Sequence, residues 1–234
     1  VTIIDGNGTG TIVYVTADNI TISRFTIRNG YQYDGKGIHL HYSDGNNISS
    51  NIITLNKHGI RLEESSGNTI IDNDIISNDD GVRASGSNNN TINCNTISNN
   101  QRGIECAFFN VGNMISNNTI ASNNATGIRL AHSDNNTISD NIITSNSFTG
   151  LYMDFCSSDL VSRNTVINNH IGIHLYDSTN SILRDNNMTG NSFNFRSEGI
   201  VLSGFIQDID TSNTVDGKPI YYWVNQHNKQ IPAD

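Results

Sequence analysis

The 234-residue chain is short of charge. Asp, Glu, Lys and Arg make up 15% of it, against about 25% in a typical soluble domain. Acids outnumber bases, 22 to 13, which leaves a formal net charge of −9. That balance argues against nucleic acid or an anionic membrane as partner. Long apolar runs are missing as well. No stretch approaches the roughly 20 residues of a membrane span, so no membrane insertion is expected. No secretory leader pattern opens the chain. Val1 already begins strand-like sequence, so an upstream part of a longer protein is expected. Cysteine is scarce. Cys94, Cys106 and Cys156 share no repeat column and no zinc-ligand spacing, so three unpaired thiols are expected.

What the chain has instead is a repeat. It opens at Gly37, Gly59, Gly81, Gly103, Gly127, Gly150 and Gly172, with most steps 22 residues long. Gly199 is read as opening an eighth, irregular copy. A fixed period in this range marks a solenoid. Counting each glycine as position 1, position 2 runs Ile38, Ile60, Val82, Ile104, Ile128, Leu151, Ile173. Positions 4, 12 and 17 are apolar in the same way, for example Leu40, Ile48 and Ile53 in the first copy. The apolar residues alternate with polar ones, which is strand periodicity. Three short strands per copy, at positions 1–5, 10–13 and 15–18, make one triangular coil. The fold class is therefore all-β: a single-stranded right-handed parallel β-helix with about 22 residues and three strands per rung.

Asparagine fills two columns without a gap. Position 15 runs from Asn51 to Asn186 and position 20 from Asn56 to Asn191. Asn tolerates left-handed backbone, so it suits tight corners. Stacked amides also bond from rung to rung, which satisfies them inside a core. The whole of 1–234 is read as one β-helix domain. Residues 1–36 form irregular lead-in rungs and 37–198 seven regular ones. Residues 199–234 hold a last rung and an irregular segment, in which 213–223 would cap the open end of the coil.

The Gly-Ile-x-Leu…Asn-x-Ile…Asn-x-Ile…Asn repeat resembles the right-handed β-helix repeats of the NosD-like, carbohydrate-binding and sugar-hydrolase (CASH) group. Residues 213–223 look like a stretch that recurs in archaeal surface-layer (S-layer) β-helix proteins. The resemblance covers nearly the whole chain. It implies an extracellular or cell-surface protein that binds polysaccharide or serves as envelope scaffold, with further domains as neighbours. Eight Asn-x-Ser/Thr sequons fit a secreted protein.

Candidate chemistry lies on the first strand of each rung. Extra residues gather at the corner before it, at 31–36, 124–126, 147–149 and 192–198, and solenoid insertions favour a binding side. Five aromatics sit there, Tyr31, Tyr33, Phe148, Phe193 and Phe195, able to stack on sugar rings. The outward positions 3 and 5 collect Arg61, Glu63, Arg83, Glu105 and Tyr176 as substrate contacts. Arg129, Tyr152, Asp154 and His174 form the densest cluster. For β-elimination on a uronate, Arg129 would neutralise the carboxylate and His174 or Tyr152 would act as base. Paired-acid glycoside hydrolysis fits less well, because Glu105 and Asp154 stand two rungs apart. His39, His41 and Glu63 would suit a divalent metal such as Zn²⁺ or Cu²⁺. Calcium is the other divalent candidate, although clustered acids are absent from these columns. Two functions thus stand open: a binding or scaffold β-helix without turnover, and a polysaccharide-cleaving enzyme, a lyase before a hydrolase.

Overall fold

A computed structural model describes residues 2–31 and 34–231. Its strands wind into a parallel β-solenoid with three faces. The first-strand sheet has nine strands, from Val13–Val15 through Lys36–His41 and its equivalents to Phe193–Glu198. The second sheet also has nine, including Asn47–Ser49 and Thr91–Asn93, and the third has eleven, including Ile52–Thr54 and Thr96–Ser98. Each strand pairs in register with its equivalents one rung away, as in Ile38 beside Ile60 and Ile75 beside Ile97. The four apolar columns of the repeat close into one buried core. Ile53, Ile75, Ile97, Ile120 and Ile143 are fully buried in a single stack. Burying each such side chain contributes roughly 1.5–3 kcal/mol before chain entropy offsets most of it.

The corners work differently from the expectation that Asn supplies left-handed backbone. The left-handed residue is the one before each Asn. Asp72, Cys94 and Asn117 have φ of 55°, 54° and 55°, and they precede Asn73, Asn95 and Asn118. The left-handed step interrupts strand alternation and turns the next side chain inward, where an amide is useful. Asn95 is typical. Its backbone N–H and its Nδ2 both donate to Asn118 Oδ1, at 2.9 and 3.0 Å. Its Nδ2 also donates to Ile70 O at 2.9 Å. These bonds pair the buried amide donors of Asn95, as buried polar groups require. The ladders run further than the two columns read from sequence. Asn213 extends the position 15 ladder by accepting from Asn186. A third column, Asn46, Asn68, Asn90, Asn113 and Asn136, builds the same ladder at position 10.

The eighth copy does not open at Gly199. Phe193–Glu198 continues the first-strand sheet, with Phe195 beside Ile173 and Arg196 beside His174. The 22-residue step from Gly172 therefore lands on Asn194, whose amide accepts from Asn191 and ends that ladder. Residues 192–198 are a rung and not an insertion. Beyond them Thr214–Val215 pairs with Asn187–Met188 and with Lys218–Pro219. Val215, Ile220 and Tyr222 pack against the core, and Tyr222 Oη donates to Phe205 O at 2.5 Å.

Candidate functional site

The outward side of the first-strand sheet carries one continuous ladder of polar and aromatic side chains. Strand pairing places Tyr14, His39, Arg61, Arg83, Glu105, Arg129, Tyr152, His174 and Arg196 on successive rungs. Rungs repeat at about 4.8 Å. The cluster expected around Arg129 is real in space: Arg129 lies beside Tyr152, Tyr152 beside His174, and Asp154 beside Tyr176.

A second outward column was missed by sequence parity. Four successive first strands start one residue before their glycine, at Lys36, His58, Asp80 and Arg102. The following glycine faces inward. A Cβ on Gly81 would stand 2.5 Å from Gly103 O and 2.8 Å from Ile97 Cγ2. Two inward residues in a row break alternation, and the residue before them points out. The invariance of glycine at position 1 is the signal that could have revealed this.

The two columns interlock. His58 Nε2 is 3.0 Å from Asp34 Oδ1, and His58 Nδ1 is 2.8 Å from Asp80 Oδ2. Arg102 Nε reaches Asp80 Oδ1 at 2.6 Å. Burial works to raise the Asp80 pKa, but His58 and Arg102 outweigh it and hold the carboxyl well below its usual range. Glu105 is buried, with Arg83 and Arg102 each 3.6 Å from its Oε2. Arg129 spans two carboxylates, donating to Glu105 Oε1 and to Asp154 Oδ2, both at 2.8 Å. Its guanidinium also lies 5.8 Å from the centre of the Tyr152 ring.

This geometry bears on the cleavage roles. Arg129 is already engaged on both sides, so a uronate would have to displace an acid to reach it. The Arg129 guanidinium fills the space between Glu105 and Asp154. Tyr152 stacks on His174 with centroids 4.9 Å apart, and burial raises its pKa. His174 Nε2 lies 3.2 Å from Glu198 Oε2. Burial lowers the His174 pKa more than Glu198 raises it.

Aromatic ridges border the ladder on both sides. At the insertion corner, Phe148 stacks on His170, and His170 meets Phe193 edge-on, with centroids 5.8 and 5.5 Å apart. Phe148 and Phe193 are exposed. Tyr31 is exposed as well, and its hydroxyl donates to Asp79. Phe195 departs from its expected place: it packs toward the core and against Tyr222, because it holds the inward position beside Ile173. Tyr33 lies outside the described residues. The opposite corner holds aromatics that sequence reading passed over. His132 and Phe155 stack at 5.3 Å with planes 7° apart, and Phe155 meets Tyr176 at 5.6 Å. Phe108 and Phe109 stand exposed on the same edge. Phe108, His132 and Phe155 all have left-handed backbone, a cost of roughly 1–2 kcal/mol per residue.

A parallel β-helix with a polar ladder between two aromatic ridges is the class of protein defined here. The family model described as periplasmic copper-binding protein (NosD) matches residues 2–123 and 108–217. The chain belongs to this NosD family. Among solved structures it is similar to a mutant form of the periplasmic alginate epimerase AlgG, with a TM-score of 0.70 and 18% identity. The match covers 83% of this chain and 50% of the epimerase. It is similar to an alginate lyase from Paenibacillus sp. str. FPU-7, with a TM-score of 0.64 and 14% identity over 75% of this chain and 76% of that one. A third is the A-module of the Azotobacter vinelandii mannuronan C-5 epimerase AlgE6, with a TM-score of 0.58 and 14% identity over 89% and 72%. At such identities the likeness is one of fold. The chain spans about half the length of the AlgG structures first matched, 47% and 50%. No curated protein sequence matches it.

Among the described residues the candidate metal donors pair with other side chains. His39 Nε2 pairs with Glu63 Oε2 at 3.0 Å, and His41 Nδ1 with the Tyr14 hydroxyl at 2.8 Å. Among the described residues no three His, Cys, Asp or Glu side chains are grouped to hold a metal ion. Asp80 is paired with His58 and Arg102.

Proposed function

We propose that this protein is a periplasmic or extracellular β-helix, folded as one domain, that binds polysaccharide along its first-strand face without cleaving it. The observation that carries this reading is the ladder itself: nine successive rungs of polar and aromatic side chains, bordered by exposed rings. Flat rings stack on the apolar faces of sugars, and polar side chains between them bond hydroxyls. A rung repeat of about 4.8 Å puts two rung steps near the length of a disaccharide. The alginate-acting proteins of similar fold are in keeping with a polysaccharide partner. The family description favours the periplasm. Copper has no part in the proposal, because the donors named above are spent on one another. Lyase action is the weaker reading, since Arg129 is held by two carboxylates and the candidate bases are stacked on each other, Tyr152 half-buried and His174 buried. A long, regular coil also suits a scaffold role in the envelope, with glycan as its anchor.

The test is affinity electrophoresis of the intact protein through gels containing acidic or neutral polysaccharides, alongside an assay for new unsaturated ends. Retention by at least one polymer, weakened in Phe155→Ala or Phe193→Ala and without new chain ends, is the expected result. Absence of retention across the panel overturns the reading. Unsaturated ends that vanish in His174→Ala would replace it with the lyase.

A further inference from the structure

Among the described residues Arg61 is the one ladder arginine left without an acid. Arg83, Arg102, Arg129 and Arg196 each lie within ion-pair reach of Asp or Glu. Among the described residues Arg61 has no carboxylate at that range, and its Nε is buried without a hydrogen-bond partner. Acids are not in short supply in a chain with 22 of them. Glu63, two residues on, is turned to His39 instead. Asp80 is taken by His58 and Arg102.

The neighbours of Arg61 make its position costlier still. Strand pairing sets it directly beside Arg83 on one rung and His39 on the other. Like charges directly opposite on a sheet destabilise it. Burial first, and the Arg83 charge second, pull the Arg61 pKa below its ordinary value. Arg83 has weak calls on it: Asp80 at 3.4 Å and Glu105 at 3.6 Å. An anion between the two guanidinium groups would relieve the repulsion and fill the open donors of Arg83. Planar guanidinium donors fit a carboxylate in a two-point geometry.

We propose that Arg61 and Arg83 form a carboxylate subsite on the ladder that takes the uronate group of an acidic polysaccharide. The proposal rests on the polysaccharide-binding reading and narrows it to one substrate class. Sugar residues on either side of the bound uronate would lie over the rungs of His39 and Tyr14 in one direction and of Glu105, Arg129 and then Tyr152 in the other. Of the acids near the subsite, Asp80 is balanced by Arg102, Glu105 by Arg129, and Glu63 is turned toward His39.

The experiment compares polygalacturonate with the same polymer after its carboxyl groups are reduced to neutral alcohols. Each is titrated against the wild-type protein, Arg61→Gln, Arg61→Lys and a remote control, Arg163→Gln. Removing an unpaired, half-buried charge should leave the fold intact, which melting curves check. The expected result is a loss of about tenfold or more in polygalacturonate affinity for Arg61→Gln. Partial retention is expected for Arg61→Lys, and no change for Arg163→Gln. Equal binding of the reduced polymer, or unchanged affinity in Arg61→Gln, overturns the subsite while leaving neutral-glycan binding on the ladder in place. Failure of the wild-type protein to bind either polymer overturns the subsite, and failure across the wider panel overturns the broader reading as well. Competition by monomeric glucuronate at equal carboxylate concentration, as effective as the polymer, would make this a small-anion site and overturn the polymer assignment.

Discussion

Asp159 accepts both amide donors of Asn136 through a single oxygen. The backbone N–H of Asn136 lies 2.7 Å from Asp159 Oδ1 and its Nδ2 lies 3.1 Å away. The other oxygen, Oδ2, is buried without a partner. Asn fills this column from Asn46 to Asn136, and there the second amide atom is a donor, as when Asn113 Nδ2 reaches Ser87 O. A protonated carboxyl copies that arrangement and a carboxylate does not. Burial accordingly pushes the Asp159 pKa up to about 7.

The sign of the effect on stability follows from proton binding. Between about pH 4 and pH 7 the folded state holds a proton on Asp159 that the unfolded chain has released. Stability from this group therefore falls as pH rises through that window and stays low above it. Asp159→Asn is expected to raise stability at pH 8, on the order of a few kcal/mol, and to change little at pH 3. Denaturant unfolding at the two pH values checks this. A gain of the same size at both would point away from ionisation.

Gly81 shows the cost of crowding the position 1 corner. A Cβ there would meet Gly103 O at 2.5 Å and Ile97 Cγ2 at 2.8 Å. Gly81→Ala should lower stability by about 1–3 kcal/mol or more. Gly10→Ala is the comparison, because a Cβ at Gly10 meets nothing within 4 Å. It should be neutral or slightly stabilising, through the unfolded chain. Equal urea midpoints for the two variants would contradict the inward placement of the position 1 glycines.

Arg129 is expected to act in stability before it acts in binding. Arg129→Ala strands the buried Glu105 and should cost about 3 kcal/mol, the low end for a broken buried pair. The low end applies because Arg83 and Arg102 stay 3.6 Å from Glu105 Oε2. Adding Glu105→Gln to Arg129→Ala removes the stranded charge and should recover most of the loss, which a double-mutant cycle measures. Additive losses would mean that the two side chains do not interact.

Much of this was legible from residue spacing. The Ile and Leu columns at positions 2, 4, 12 and 17 are the buried core, and Arg129, Tyr152 and His174 are rung neighbours as their shared position 3 implied. Less legible was anything that depended on strict alternation. The outward placement of His58, Asp80 and Arg102 could not be read from parity, since two inward residues in succession leave no mark in a period of two. Phe193–Glu198 read as an insertion because Asn194 stands where glycine was expected. The Phe155 ridge was passed over because its left-handed corner lies outside the strand positions.

Periodicity in the primary structure was enough for the solenoid, its rung length and its core, because a repeat that buries one apolar column must bury all its equivalents alike. Partnership among charged side chains was not. Whether Arg129 is free or clamped, and whether Arg61 has an acid, depends on which way long side chains lean across rungs 4.8 Å apart. Several acids and bases compete there within a few ångströms, and packing around each one decides which pairs form.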